Sequence, residues 1–303
     1  MPATFVIVNP ASGGGKTGQR WRGLDARMRA EGAQYDVEFT REPGHAEQLA
    51  RQAALAGVPT LLIVGGDGTL NEVVNGLIQD DRPLGEITIG ILPVGTGSDF
   101  ARALGLPRDV LAAAIHLLRR AQPEALDVGR VDCARGGQPA TRYFVNIAGL
   151  GFDGEVADRV NRAGKSGGTL VYQSMLLRGL VTYRNKHVRL SIDGAIREGM
   201  MNSVVVANAR YFGGGMFVAP NAHWADGLFD VIVLGDFGKL EVVANLPRLY
   251  RGTHLTHKKV TELRGREVRV EAQERMFLQA EGELVGEAPA TFTILPKALK
   301  VLR

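Results

Sequence analysis

Through the first 130 residues, short unbroken apolar runs alternate with stretches in which apolar side chains recur every three or four positions. The unbroken runs, rich in Val and Ile, predict strands buried on both faces at 4–8, 35–39, 60–64, 88–92 and about 125–131. The recurring patterns predict helices from about residue 17, at 46–56, at 70–78 and, after Pro107, through Val110, Ala114, Leu117 and Leu118. Such alternation predicts a parallel, doubly wound α/β sheet. Beyond about residue 130 the character changes. Strand patterns at 143–147, 188–192, 203–207, 229–234, 267–272 and 291–295 dominate, with helices expected near 169–183 and 240–250, which predicts a mainly antiparallel β domain. The boundary is placed near Asp127-Val-Gly-Arg130. It gives an α/β domain over 1–129 and a β domain over 130–289, with the tail from about 290 as a candidate to return to the first.

Three of the expected strands run straight into glycine-rich turns. Ligands of open α/β sheets bind at the carboxyl ends of the strands, so these loops are expected to face the cleft between the two domains. After the strand at 60–64 comes Gly65-Gly-Asp-Gly-Thr69, and Leu70, Val73, Val74 and Leu77 then follow at helical spacing. The amides of Gly65, Gly66, Gly68 and Thr69 are therefore expected at or near a helix N-terminus, where free donors and the dipole favour a polyphosphate. Asp67 repels a phosphate; in that position it needs a ribose hydroxyl, a metal ion or a transferred proton. The first loop, Asn9-Pro-Ala-Ser-Gly-Gly-Gly-Lys-Thr-Gly18, offers Asn9, Ser12 and Lys16 as polar contacts around Gly13. In the third, Pro93-Val-Gly-Thr-Gly-Ser-Asp-Phe-Ala-Arg102, Gly95 and Gly97 open backbone donors, Thr96 adds a hydroxyl, and Ser98 or Asp99 could cap the next helix.

The first loop also mimics two other motifs. Gly13, Gly15 and Gly18 satisfy G-x-G-x-x-G, with Asp36 at a suitable distance for a ribose-binding acid, but Asn9 to Ser12 intervene where a dinucleotide fold places glycine almost directly after the strand. Gly15-Lys16-Thr17 matches the end of a Walker A loop, whose first glycine is Pro10 here.

Composition narrows the class. The chain has 303 residues, 45% of them hydrophobic, enough for two cored domains, and its apolar runs are broken well short of a membrane span. A cytoplasmic address is expected. Cys133 stands alone and the six histidines lack a metal-binding spacing, which excludes an internal disulfide and a cysteine-held zinc. A net charge of +4 suits acidic ligands or an anionic bilayer and is too weak to argue for nucleic acid. Basic residues gather at 178–189 and in His257-Lys258-Lys259.

Taken in order, Asn9-Pro-Ala-Ser-Gly13, Gly65-Gly-Asp-Gly-Thr69 with Asn71-Glu72, and Pro93 through Arg102 resemble the signature of the diacylglycerol kinase catalytic family, in its bacterial lipid kinase branch. The likeness continues through Phe144-Val-Asn-Ile-Ala-Gly-Leu-Gly-Phe-Asp153, Asn208-Ala-Arg-Tyr-Phe-Gly-Gly-Gly215 and Ala219-Pro-Asn-Ala-His-Trp-Ala-Asp-Gly-Leu-Phe-Asp230, so it covers nearly the whole chain. It implies an α/β nucleotide domain joined to a β-sandwich domain, with ATP and Mg2+ in the cleft. It also implies nucleotide roles for Gly65 to Thr69, Glu72, Thr40 and Thr96. A structural magnesium is implied at the Asp226 carboxylate and the backbone carbonyls of His223 and Leu228, hard oxygen donors of the kind that ion prefers.

In that family the tripeptide matching Glu281-Gly-Glu283 is usually Asp-Gly-Glu and carries a general base. Glu283 is taken as the base and Glu281 as its partner, with the longer Glu281 in the usual aspartate position leaving the division of labour open. Ser98 likewise replaces a usual asparagine.

The expected activity is transfer of the γ-phosphoryl group of ATP to the hydroxyl of a membrane lipid, diacylglycerol or a sphingoid-type acceptor. The protein would then act transiently at the inner face of the membrane, as a monomer or homodimer and without a nucleic-acid partner. Leu170-Val-Tyr-Gln-Ser-Met-Leu-Leu-Arg-Gly-Leu-Val-Thr-Tyr183 is a candidate lining for an acyl tail, or else a core helix. Three alternatives remain open: a soluble NAD-type metabolite kinase, a nicotinamide-dependent oxidoreductase resting on Gly13, Gly15 and Gly18, and a nucleotide- or lipid-sensing module.

Overall fold

The computed structural model describes residues 3–94, 98–163, 179 and 182–303, which fall into two compact units: residues up to Val128 together with Leu295–Arg303, and Gly129–Ile294. In the first, β1 (Thr4–Val8), β2 (Asp36–Phe39), β3 (Thr60–Gly65) and β6 (Thr88–Pro93) form a parallel sheet in the order β2-β1-β3-β6. Its far edge is completed by the end of the chain, with Lys300 and Val301 running parallel to Thr88 and Ile89. Val6, Ile7 and Val8 of β1 and Leu61, Ile63 and Val64 of β3 are fully buried, which is why these runs show no alternation. The helices α1 (Lys16–Ala30), α2 (His45–Leu55), α3 (Asp67–Leu77) and α5 (Val110–Arg119) connect the strands, with the short α4 (Asp99–Ala103) after β6 and a small hairpin of β4 (Ile78–Gln79) and β5 (Arg82–Pro83).

The chain steps from β1 to β2 on one side and from β3 to β6 on the other. Strand order thus reverses between β1 and β3, the point at which an open α/β sheet leaves a crevice beyond its strand ends. The loops following β1 and β3 are both at that point.

The second unit is antiparallel. One layer runs β14 (Val260–Gly265), β13 (Phe229–Leu234), β12 (Ser203–Ala207), β9 (Ile147–Gly151) and β16 (Phe277–Ala280). A second contains β11 (Ala195–Met201), β10 (Lys186–Ile192) and β15 (Glu267–Ala272), with β7 (Pro123–Arg135) and β8 (Gln138–Phe144) beyond. The long β17 (Glu283–Leu302) pairs with β15, β16 and β7. The sandwich core between the layers takes Val204 and Val206 of β12, while Val205 and Ala207 join a second apolar cluster on the outer face, where Leu249 of α7 (Lys239–Arg251) packs. Burial on both faces explains an unbroken Val run in an antiparallel sheet. Before β10 the chain also forms α6 (Phe152–Ala163).

Several sequence expectations are corrected here. The strand expected at 143–147 is two strands, since β8 ends at Phe144 and β9 starts at Ile147, with Val145 and Asn146 turning between them. The strand expected at 291–295 is the middle of the 20-residue β17. Helix α3 begins at Asp67 rather than at residue 70. The edge strand β11 was not foreseen because most of its side chains are exposed and carry no periodic apolar signal. The helix expected near 169–183 and the acyl-tail lining proposed there lie outside the described residues, apart from its last positions.

Of two glycines, one must be small and the other need not be. A Cβ on Gly129 of β7 would come within 2.3 Å of the ring of Phe144, its partner across the ladder, and that fully buried ring is already stacked on Phe229 at 5.8 Å. Gly23 on α1 would place a Cβ in open space. Gly129→Ala is expected to lower the unfolding free energy by about 2 kcal/mol or more through overpacking. Gly23→Ala should raise it by about 1 kcal/mol through helix propensity. Urea denaturation of both variants checks this, and a Gly129→Ala protein as stable as the parent would refute the packing account.

Candidate active site

Each glycine loop of the first unit is tied to the next by a side chain. Asn9, at the end of β1, donates from Nδ2 to Thr69 Oγ1 at 2.9 Å, and its backbone N–H bonds Val64 O at 2.9 Å. The first and second loops are thereby joined. Within the first, Ser12 Oγ bonds Asn9 O at 3.0 Å and lies 2.5 Å from Thr17 Oγ1, while Gly13, Gly14 and Gly15 all adopt left-handed φ. Lys16, the first residue of α1, is exposed. Gly65 packs so closely under Thr69 that a Cβ would sit 2.7 Å from its hydroxyl, so the second loop must start with glycine. At the starts of α1 and α3 the N–H groups of Thr17, Gly18, Thr69 and Leu70 bond the carbonyls of Ser12, Pro10 and Gly66, which leaves those of Lys16, Asp67 and Gly68 as the candidate donors of an anion cradle.

Asp67 has a partner that the sequence did not suggest. Its Oδ2 accepts the N–H of Asp99 at 2.9 Å and its Oδ1 accepts that of Phe100 at 3.2 Å, so this carboxylate caps α4 from another loop. Neither Ser98 nor Asp99 provides the cap expected of them: the Ser98 side chain makes no capping bond, and the buried Asp99 instead holds Arg102 at 2.9 Å. The second and third loops are joined in this way. Burial pushes the Asp67 carboxyl up to about 6; the two amides and Arg102 pull it down, and the charge of Asp99 adds to the rise.

Glu72 also acts as a remote cap. Its Oε2 accepts the N–H of Ala46 at 3.1 Å at the start of α2, where Gly44 offers no side chain. Thr40, buried after β2, bonds Val8 O through its backbone N–H. Thr96, with Gly95 and Gly97, lies outside the described residues.

In the second unit the acid pair occupies the turn between β16 and β17. Glu281 and Gly282 both have positive φ, 54° and 83°, the geometry of a two-residue type I′ hairpin turn that a glutamate adopts only at a cost. Glu281 is nonetheless fixed. Its Oε1 accepts the amides of Val145 and Asn146 at 2.9 and 2.7 Å, and its own N–H bonds Ile147 O at 3.0 Å. The interruption between β8 and β9 is therefore the receptor for this carboxylate. Asn208 braces it by donating to Val145 O at 2.8 Å, and Asn146 reaches Tyr211 O at 2.6 Å. Behind the turn, fully buried Gln279 accepts from the Gly282 amide at 2.8 Å and donates to Asp153 at 3.1 Å, whose carboxyl is raised by burial. Glu283 is exposed at the first position of β17. Residue type alone does not mark the roles of Gln279, Asp153, Asn146 and Asn208, although Asn146, Asp153 and Asn208 stand in the family-like blocks at 144–153 and 208–215.

The turn carrying His223, Asp226 and Leu228 shows a crowded set of charges. Asp226 Oδ1 accepts the Leu228 N–H at 3.1 Å while Oδ2 meets Arg264, whose Nε is 3.4 Å from the fully buried Asp230. His223 Nδ1 accepts the Ala225 N–H at 3.2 Å. Both oxygens of Asp230 and one of Glu262 are buried without a hydrogen-bond partner. Among the described residues no three His, Cys, Asp or Glu side chains converge on a metal position. A cation held by one carboxylate and two backbone carbonyls still fits the charge, since Asp226, Asp230 and Glu262 outnumber Arg264.

Comparison with known proteins agrees with both units. The diacylglycerol kinase catalytic domain profile matches residues 3–131, and that of the YegS C-terminal NAD kinase beta sandwich-like domain matches residues 146–303. A diacylglycerol kinase of Mycobacterium tuberculosis (strain ATCC 25618 / H37Rv) is 31% identical over 302 residues, covering 98% of this chain and 94% of its own. A diacylglycerol kinase of Bacillus subtilis (strain 168) is 31% identical over 304 residues, covering 100% and 96%. The crystal structure of a diacylglycerol kinase from Bacillus anthracis str. Sterne superposes with a TM-score of 0.71 at 21% identity, covering 98% of this chain and 95% of that one; at such identity the likeness is one of fold.

The position of Asp67 has a measurable consequence. An aspartate whose folded value, about 6, lies above its ordinary 3.8 holds its proton more tightly when folded. Its contribution to stability is therefore present below about pH 4 and lost as pH rises through about 6. Asp67→Ala removes that contribution. The gap in unfolding free energy between wild type and variant, from urea titrations, should be wider at about pH 4 than at about pH 7. A gap that is constant or grows with pH would contradict the assignment.

Proposed function

The chain belongs to the diacylglycerol kinase catalytic family and is a lipid kinase, and from that premise we propose that it moves the γ-phosphoryl group of ATP, bound with Mg2+, to the hydroxyl of a membrane lipid such as diacylglycerol or a sphingoid-type alcohol. The observation that carries the nucleotide site is the joining of the three loops, Asn9 to Thr69 and Asp67 to Asp99 and Phe100, at the strand ends where β1 and β3 diverge.

In this reading the amides of Gly13, Gly65, Gly66 and Gly68 receive the phosphates, with Asn9, Ser12, Lys16, Thr40, Thr69 and Thr96 as polar neighbours. Asp67 and Glu72 work differently: they hold the starts of α4 and α2 in place, Glu72 acting on the nucleotide through α2. Phosphoryl transfer needs mainly position and charge neutralisation. A bound Mg2+ ion would supply the neutralisation on the phosphoryl oxygens. The Asp226 carboxylate with the carbonyls of His223 and Leu228 would hold a further, structural Mg2+.

The chain's own chemical contribution is a proton acceptor. As the lipid oxygen forms its bond to the γ-phosphorus and the bond to the ADP oxygen breaks, the hydroxyl proton passes to Glu283. Glu281 serves as the fixed member of the pair. Two amide donors hold its Oε1 in place, whereas Glu283 is exposed at the start of β17. The acceptor is presented at the inner face of a membrane, with transient contact.

Incubation with labelled ATP, Mg2+ and a panel of lipid extracts should yield a labelled phospholipid. Glu283→Gln should lower turnover by about 10²- to 10⁴-fold while ATP affinity, read by calorimetry, stays within about twofold. Normal turnover in Glu283→Gln alongside an inert Glu281→Gln would transfer the base to Glu281. Absence of label in every lipid would end the lipid kinase proposal.

A further inference from the structure

Helix α7 (Lys239–Arg251) departs from the usual pattern of a surface helix. Its inner side is accounted for: Leu249 packs on the outer cluster of the sandwich, Phe217 N–H bonds Leu249 O, and Glu241 caps the first turn through Gly238 N–H while holding Lys259 at 2.5 Å. At 100° per residue Val242, Leu246 and Leu249 fall on that side. The outer side is also apolar. Leu240, Val243, Pro247 and Tyr250 lie within one stripe, and Leu240, Val243 and Tyr250 are 85%, 47% and 55% exposed. No residue of the helix is buried.

The charges around the stripe have one sign. Arg248 and Arg251 stand on the exposed last turns, Lys258 is exposed shortly beyond, and the helix's one acid, Glu241, is already neutralised by Lys259. An apolar stripe bordered by cations, on a helix of 13 residues and about 20 Å that is too short to span a bilayer, has the features of a segment that lies in the plane of an anionic membrane. Tyr250 suits that interface, with an apolar ring and a polar tip. A second copy packed antiparallel on this face would offer Arg248 and Arg251 only Glu241, which Lys259 already holds, so the face has no complementary charge for itself.

We propose that the outer face of α7 is a membrane-docking surface, with Leu240, Val243, Pro247 and Tyr250 entering the headgroup boundary of an anionic bilayer and Arg248 and Arg251 engaging its phosphates. The choice of a bilayer as occupant rests on the lipid kinase reading. The helix places the protein at the surface where its acceptor resides and takes no part in the chemistry.

The full-length protein is floated with phosphatidylcholine vesicles, with and without about 30 mol% phosphatidylglycerol. The expected result is co-flotation with the anionic vesicles, falling as salt is raised. Leu240→Asp combined with Tyr250→Asp should lower partitioning at least about tenfold, and Arg248→Gln with Arg251→Gln should remove most of the preference for anionic lipid. Since all four positions are exposed, circular dichroism and turnover of a dispersed short-chain diacylglycerol should stay within about twofold of wild type. Wild type that stays off anionic vesicles, or a Leu240/Tyr250 variant that floats like wild type, overturns the proposal. So does a dimer on gel filtration that this variant converts to monomer, which would assign the face to a second copy. If binding behaves as expected but no lipid is phosphorylated, the docking surface stands and the kinase reading falls.

Discussion

One carboxylate holds the glycine-loop edge of the first unit together. Asp67 sits in the loop best suited to an anion, where a negative charge is costly, and it is tolerated because the amides of Asp99 and Phe100 converge on its oxygens. Without it the start of α4 would lack a cap, since neither Ser98 nor Asp99 supplies one. Burial outweighs the help of the amides and raises its proton affinity. With Asn9 bonded to Thr69, two side chains convert three separate strand ends into one surface. Gly65 is then required by close approach, since a Cβ there would lie 2.7 Å from the Thr69 hydroxyl, and Gly13, Gly14 and Gly15 by their left-handed turn.

The second unit follows the same principle with a different acid. Glu281 stands in a left-handed conformation at a hairpin turn, and its cost is offset by two amides released where β8 gives way to β9. Gln279, Asp153, Asn146 and Asn208 form the frame behind it. Buried polar networks of this kind fix a geometry more than they add stability. That frame is what a pair of acids needs if one of them is to take a proton at a defined point.

Much of the architecture was legible because burial imposes a period. The runs that became β1, β3, β12 and β13 are mostly apolar and do not alternate because both faces of those strands are covered, and α2, α3 and α5 show their inward stripes directly. What was illegible depends on partners distant in sequence. Nothing local distinguishes Asp67 as the cap of a helix 32 residues later, or marks Val145 and Asn146 as the break where Glu281 docks 135 residues away. The edge strand β11 was hidden because exposed strands carry no pattern. Of the candidate site, the loops and the acid pair were recognisable as residue types, but the division between groups that face a ligand and groups that hold others in place required the structure. Asp67 and Glu72, expected at the nucleotide, each also hold the start of a helix.

The central claim is that the amides of two glycine loops, locked side by side, embrace a triphosphate. Hydrogen exchange of the backbone, followed by mass spectrometry with and without ATP and Mg2+, tests it most directly. The account predicts that the nucleotide slows exchange at Gly13 to Thr17 and at Gly65 to Thr69 together, and leaves the solvent-facing β11 unchanged. Unaltered exchange in both loops at saturating nucleotide, or protection confined to the second unit, would contradict it.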